Sequence, residues 1–514
     1  MMRIRDIIRR DFRLSGDMDR CISGLVYDSR DVKGGELFFA IKGENFDGHD
    51  FIEDSIKKGA IGIVYDASRD MSDLMSKYPH IAWIGVNDTR DAIAAIANDF
   101  YGRPSEDATV IGITGTNGKT TTSYIIKSIL ENYGFSVGLI GTIRYLIKDE
   151  SYPAHHTTPE SVNFQALIRE MIDKGCSHIV SEVSSHSLAQ KRVDYTRFKI
   201  AIFTNLTRDH LDFHKDMEDY FRAKERLFTE LLDEKGVAVI NIDDTYGKRI
   251  ISDIKNIEKL SSKRILTYGI YNDEADIRAY DIKTTFKGSS FRIQTSCPEF
   301  KALNSESFKS PLIGLTNVYN IIASIGVALS LNIPVNFIKE AISNTKSISG
   351  RFETIDQGQN FLAVVDYAHT EDALERLLIT ARKIRGNCSS NKGRIITVFG
   401  CGGNRDKGKR PLMGEIATNL SDFVIITSDN PRNEDPGKIL RDIEEGIKKS
   451  NYVIIQDRKS AIQMAVEIAE QGDILIVAGK GHEDYQEIKG KRYYFSDKEA
   501  IKEAITLKKR YISK

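Results

Sequence analysis

The sequence predicts an α/β protein built on mostly parallel sheets and divided into three domains. Two observations carry this reading. Short apolar, β-branched runs at residues 59–65, 110–114, 137–142, 361–365, 394–399, 423–427 and 474–478 alternate with stretches of helical period, the pattern of βαβ units. The chain also has 514 residues, enough for about three cores. A Tyr-Gly-Arg-Pro-Ser cluster at 101–105 breaks the pattern. The expected domains are therefore 1–105, 106–346 and 347–514.

Lysine plus arginine equals aspartate plus glutamate at 73 each. This balance leaves no electrostatic footprint for nucleic acid or an anionic membrane. Cysteines at 21, 176, 297, 388 and 401 show no C-x-x-C spacing, which argues for a reducing compartment and against structural zinc. No run of eighteen apolar residues occurs and the amino terminus lacks a long apolar core, so a cytoplasmic protein is expected.

The most informative stretch is V-I-G-I-T-G-T-N-G-K-T-T-T at 110–122. A strand should lead into a turn freed by Gly115 and Gly118, with Thr116 and Asn117 between them, and a helix should follow over 120–133. Such a turn aims backbone N–H groups and the positive end of the helix dipole at one place, where polyphosphate binds. Lys119 would reach the β/γ-phosphates and the Thr120 hydroxyl would ligate Mg²⁺, with Thr121 beside it. Ile113 stands where the strict G-x-x-x-x-G-K-[ST] pattern has its first glycine, so the form here is the shorter G-x-x-G-K-T.

In the first domain, Asp28, Ser29 and Arg30 with residues 43–48 form either a polar pocket or two surface turns, and the residues alone favour turns. Glu182 ends a short apolar strand; it is either a Mg²⁺ ligand beside the phosphate loop or a solvent-exposed strand end. His210 and His214 give H-x-x-x-H, but no glutamate follows the first histidine, so a zinc-protease site is excluded. On a helix expected over 216–232, Lys224 falls on the apolar stripe of Met217, Tyr220, Phe221, Leu227, Phe228 and Leu231. It either snorkels outward or, buried with a lowered pKa, captures CO₂ as a carbamate able to ligate a metal beside His210. A strand is expected at 236–243 and a polar β-rich region over 250–310. Asn317 and Asn320 lie one turn apart on a later helix, where asparagine is unfavourable unless it is used.

In the third domain, polar loops follow apolar runs at 366–369 (D-Y-A-H), 400–405 (G-C-G-G-N-R), 428–436 (S-D-N-P-R-N-E-D-P) and 479–486 (G-K-G-H-E-D-Y-Q). Arg405 occupies the third glycine position of a dinucleotide fingerprint, which excludes NAD. Ligands bind beyond the carboxyl ends of such strands, so Arg405, Arg432 and Glu483 should converge on a small charged molecule, Arg432 taking a planar carboxylate.

Together, G-T-N-G-K-T-T, T-N-L-T-R-D-H-L-D-F-H, Y-F-R-A-K, G-R-F-E, D-Y-A-H and D-N-P-R resemble the Mur ligase family over the whole chain. The resemblance implies a small N-terminal α/β domain for a UDP-sugar substrate, a central P-loop-type ATPase domain and a C-terminal Rossmann-like domain for an amino acid. It implies a monomeric ligase acting on small molecules, adding meso-diaminopimelate to UDP-N-acetylmuramoyl-L-alanyl-D-glutamate with ATP as co-substrate and Mg²⁺. Residue by residue, it implies Lys119, Glu182, His210 and carbamylated Lys224 as catalytic, with Thr120, Glu182, His210 and Lys224 at metal. Asn320, Arg351 and Asp366 join the 115–121 loop at ATP. Ser29, Thr157, Thr158, Ser184, Gln190 and Arg192 match the UDP-muramoyl site, and Arg405, Asp429, Asn430, Pro431, Arg432, Gly479 and Glu483 the diaminopimelate site. Glu44, Asn45 and Phe46 stand at a variable stretch of the family and are assigned no role. The alternatives are a lysine-adding ligase, a folylpolyglutamate synthase-like ligase, which would not be expected to carry D-N-P-R, and a non-catalytic nucleotide-binding regulator.

Overall fold

The structure, a computed structural model, describes residues 2–8, 12–43, 46–260, 263–304, 306–386 and 393–512; Glu44, Asn45 and Cys388 lie outside them. Two compact units are present, one of Met1–Thr114, Phe135–Ala201 and Ala223–Val237, the other of Gly115–Gly134, Ile202–Arg222 and Ala238–Lys514.

The first unit opens with a five-stranded sheet in the order Arg13–Ser15, Ala82–Val86, Gly62–Asp66, Glu36–Phe39, Gly24–Val26, parallel except for its first strand. Side chains alternate across it. Leu37, Phe39, Val64 and Ile84 enter one apolar cluster, while Phe38, Ile63, Tyr65 and Trp83 enter another. Both faces are thus buried, which is why these strands read as near-continuous apolar runs. The unit also holds parallel strands Thr109–Thr114, His178–Glu182 and Val137–Ile140, extended by antiparallel Arg144–Ile147 and Glu150–Pro153.

The second unit carries helix Lys119–Asn132, helix Leu315–Ser330 and a six-stranded sheet. The sheet order is Glu353–Ile355, Leu362–Asp366, Ile474–Ala478, Ile395–Phe399, Phe423–Ile426, Tyr452–Ile454, parallel from the second strand on. Its two faces again feed separate cores, Val364, Phe399 and Ile476 on one and Val365, Val398 and Val477 on the other. Parallel pairing puts the carboxyl ends of these five strands on one edge, and the four polar loops anticipated from the sequence all leave from it.

Three expectations of local structure are corrected. The helix expected over 216–232 is Met217–Thr229; Glu230 and Leu231 close its last turn by donating to the Arg226 carbonyl at 2.9 and 3.1 Å. The strand expected from 236 begins at Leu232. The region taken as β-rich from 250 opens with helix Thr245–Asn256, whose amino end is capped by the Asp244 carboxylate accepting from the Tyr246 N–H at 2.8 Å and which buries Gly247, Ile250 and Ile254.

Candidate functional site

Gly118 caps helix Lys119–Asn132 at φ 90°, and a Cβ there would stand 2.5 Å from the Asn320 Oδ1. Both the left-handed backbone and the close approach require glycine. The first-turn N–H groups therefore open onto a cap without a side chain, suited to phosphate. The Lys119 ammonium donates to the Gly115 and Thr116 carbonyls at 2.8 and 2.9 Å. Beyond the loop, the Asn117 backbone N–H donates to Asn205 Oδ1 at 2.9 Å, and its amide to Asp372 at 3.1 Å.

A cavity of about 100 Å³ adjoins this loop, lined in part by Asn117, Gly118, Thr121, Asn320, Arg351 and Asp366. Buried Asn320 and Asn317 face it from helix Leu315–Ser330; Asn320 donates to Asn317 Oδ1 and accepts from the Thr122 hydroxyl, both at 3.3 Å. Arg351 stacks 4.6 Å over the Tyr367 ring and its guanidinium is 3.4 Å from the Thr120 hydroxyl. Asp366 accepts from the Phe352 and Ala368 N–H groups at 2.6 and 2.8 Å. Burial pushes its carboxyl up against the pull of Arg351. His369, in the same lining, is driven down to about 4 by burial and is neutral at pH 7; its ring lies 3.9 Å from the Asp209 carboxylate.

On the edge of the six-stranded sheet, Asn430 donates to Glu483 at 2.8 Å. Arg432, in a left-handed conformation at φ 51°, donates to the Gly403 carbonyl at 2.8 Å and lies 3.5 Å from Glu487. Arg405 is half exposed and 3.6 Å from Asp212. Lys480 is one residue the sequence reading missed. It is fully buried, with its ammonium 3.1 Å from Asn430 Oδ1, 3.2 Å from Glu483 and 4.0 Å from Asp429. Burial raises the Glu483 carboxyl and Lys480 opposes it. A lysine between two glycines reads as a surface turn in sequence, and its burial has no sequence signal.

In the first unit, Arg192 joins Gln190, Thr158 and Glu160 through contacts of 2.7–3.1 Å. The Thr158 hydroxyl donates to the Glu182 carbonyl at 2.8 Å and accepts from the Ser184 N–H at 3.1 Å. Thr157 reaches the Thr142 hydroxyl at 3.0 Å. Ser29 is half-buried on another loop, its carbonyl taken by Lys58 at 2.7 Å. Glu182 is fully buried and accepts from the Thr142 N–H and hydroxyl at 3.0 and 2.9 Å, which removes the reading of a solvent-exposed strand end. Lys224 is 1% exposed, so it does not snorkel.

Among the described residues no three His, Cys, Asp or Glu side chains form a metal cluster. The oxygen donors among the sequence-expected ligands, the Glu182 carboxylate and the Thr120 hydroxyl, are of the kind Mg²⁺ takes. The described cysteines are free, and no described helix is long and apolar enough to cross a membrane.

These features define a class, a phosphate loop joined to a parallel-sheet region with a charged pocket on its carboxyl edge, and comparison with known proteins gives the class its name. Residues 21–101 match the family described as Mur ligase family, catalytic domain; 113–328 match the Mur ligase middle domain; 350–481 match the Mur ligase, glutamate ligase domain. The chain belongs to the Mur ligase family. UDP-N-acetylmuramoyl-L-alanyl-D-glutamate--2,6-diaminopimelate ligase of Aquifex aeolicus (strain VF5) is 45% identical over 485 residues, 94% of this chain and 94% of that one. The protein of the same name from Caldanaerobacter subterraneus subsp. tengcongensis is 44% identical over 98% of this chain and 99% of its own. A solved structure of a ligase with this name superimposes with a TM-score of 0.68 at 32% identity, covering 99% of each chain. The expected α/β class and its three-domain plan hold.

Proposed function

We propose that this protein joins meso-diaminopimelate to UDP-N-acetylmuramoyl-L-alanyl-D-glutamate at the expense of ATP, as a cytoplasmic monomer with domains 1–105, 106–346 and 347–514. The observation that carries the reading is the approach of the Arg351 guanidinium to the Thr120 hydroxyl at 3.4 Å, which ties the phosphate loop to the region bearing the charged pocket. Full-length similarity to ligases of that name supports it.

Residues 115–121 with Asn320, Arg351 and Asp366 hold ATP. Ser29, Thr157, Thr158, Ser184, Gln190 and Arg192 hold the UDP-muramoyl dipeptide. Arg405, Asp429, Asn430, Pro431, Arg432, Gly479 and Glu483 hold the amino acid. The γ-phosphoryl group passes to the free carboxylate of the glutamyl residue, giving an acyl phosphate and ADP. The amine of diaminopimelate then attacks the acyl carbon, loses its proton, and phosphate leaves through a tetrahedral intermediate. Lys119 offsets charge on the phosphates, and the two substrate pockets orient carboxylate and amine. Thr120, Glu182, His210 and carbamylated Lys224 would hold Mg²⁺, which when bound would supply further charge neutralisation.

Phosphate release is measured with the UDP-muramoyl dipeptide and either meso-diaminopimelate or L-lysine. Release that needs the dipeptide and is selective for diaminopimelate is expected. Release with lysine alone would keep the ligase and discard the pocket reading; silence with both would discard the ligase.

A further inference from the structure

Arg410 has a side chain with no solvent exposure, yet it sits in the first turn of helix Lys409–Leu420. A cation there opposes the helix dipole, so the helix itself gains nothing from the charge. The guanidinium is engaged elsewhere. One terminal nitrogen donates to Glu434 at 3.1 Å and to Asp442 at 2.7 Å; the other donates to Glu434 at 3.0 Å and to the Gly402 carbonyl at 3.2 Å. Glu434 in turn accepts from the Asn404 N–H, and the Asn404 side chain accepts from the Asn433 N–H at 3.1 Å.

These bonds clamp two loops that follow different strands. One is 400–405, which ends in Arg405, and the other is 428–436, which carries Arg432. The clamp surrounds the contact that aims Arg432, since Gly403, whose carbonyl takes the Arg432 guanidinium at 2.8 Å, lies between Gly402 and Asn404. The two loops pass so close that a Cβ on Gly403 would stand 2.0 Å from the Pro431 carbonyl oxygen. Arg432 and Asn404 both hold left-handed backbone, at φ 51° and 52°. Two strained residues in facing loops need an external tie, and the Arg410 fork is planar, bidentate and buried enough to provide one.

We infer that Arg410 and Glu434 are a positioning pair that fixes the two loops presenting Arg405 and Arg432, and so set affinity and selectivity for the amino-acid substrate without touching it. This rests on the proposed reading of those loops as the amino-acid pocket.

The test is steady-state phosphate release by Glu434→Gln, Glu434→Asp, Arg410→Lys and Arg432→Ala, with KM for meso-diaminopimelate and for ATP, the diaminopimelate-to-lysine ratio, and melting temperature recorded for each. Glu434→Gln is isosteric and is the deciding variant should Arg410→Lys fail to fold. Misplacing a binding group by about 1 Å can cost up to about 100-fold, so Glu434→Gln is expected to raise the diaminopimelate KM about 10- to 100-fold. The ATP KM should stay within about twofold, with Glu434→Asp recovering part of the loss because the charge-assisted bond is kept. Parallel rises in both KM values, or a lowered melting temperature with unchanged KM values, would reduce the pair to a structural role and overturn the inference. Arg432→Ala separates the two readings. If it raises the diaminopimelate KM while Glu434→Gln does not, the positioning pair falls and the pocket stands; if Arg432→Ala leaves that KM unchanged, the pocket reading itself falls.

Discussion

The guanidinium of Arg208 grips the carboxylate of Asp406, with Nε 3.2 Å from Oδ2 and Nη2 3.4 Å from Oδ1. A second pair, Asp212 with Arg405 at 3.6 Å, joins the same two segments with the charges exchanged. The T-R-D-H-L-D segment, which carries His210, is thus clasped to the G-G-N-R-D segment, which carries the proposed amino-acid ligand Arg405. A reciprocal clasp fixes register as well as distance, because sliding either segment brings like charges together.

Reversal at one end of this clasp should therefore slow the ligase, and a double reversal should restore it. Both pairs are partly exposed, so each contributes about 1 kcal/mol or less, and Arg208→Asp is expected to lower kcat/KM about five- to tenfold. Adding Asp406→Arg should recover most of that loss. The check is a double-mutant cycle on phosphate release; a double variant no better than the worse single one removes the clasp from the mechanism.

Arg432 is the group expected to separate diaminopimelate from lysine. Its fork is held by Gly403 and Glu487, and a substrate without the distal carboxylate leaves the half-buried guanidinium's remaining donors unmatched. A polar pocket left unpaired costs on the order of 2–5 kcal/mol. Arg432→Ala should thus lose diaminopimelate by about 30-fold or more while keeping ATP, shown by separate KM values. Equal selectivity before and after the change would deny the residue this role.

How far the sequence led follows from which signals are local. The phosphate loop was legible because strand, glycines, lysine and helix lie within thirteen consecutive residues. The four loops of the six-stranded sheet were legible because each follows an apolar run, and parallel pairing then places them on one edge without further information. Lys224 was legible as out of place on an apolar stripe, and its burial bears that out. What stayed hidden depends on distant partners. Arg410 meets Glu434 across 24 positions and Lys480 meets Asn430 across 50. Neither pairing leaves a periodic trace. Helix Thr245–Asn256 was missed because only Gly247, Ile250 and Ile254 of its twelve residues are buried, and the intervening charged residues masked the period.

His178 gives the fold a defined acid sensitivity. It begins strand His178–Glu182, stacks on Phe135 with ring centroids 4.1 Å apart, and is driven down to about 4 by burial. In the unfolded chain it titrates near 6.5. Between those values the unfolded state holds the extra proton, so stability is fully present above about pH 6.5 and falls as pH drops towards 4. After allowance for partial solvent screening the loss is on the order of 1–2 kcal/mol. His178→Gln should flatten this part of a melting-temperature profile between pH 7 and pH 4.5; an unchanged slope would place the sensitivity elsewhere.

Lys224 offers the sharpest chemical test, because it is buried on an otherwise apolar stripe of its helix. Tyr220, Phe221, Leu227 and Phe228 on the same stripe are all fully buried. Capture of CO₂ by the Lys224 amine, with loss of two protons from its ammonium form, would turn that position from a cation into an anion able to ligate Mg²⁺. Lys224→Arg keeps the length and positive charge but removes the amine, so the proposed carbamate cannot form. Loss of a group that organises charge on the phosphates is expected to lower kcat by about 100-fold or more. Wild-type protein in ¹³C-bicarbonate should show a carbamate carbon resonance that Lys224→Arg lacks. An active arginine variant, or a wild-type spectrum without that resonance, would return Lys224 to a purely structural place in the helix.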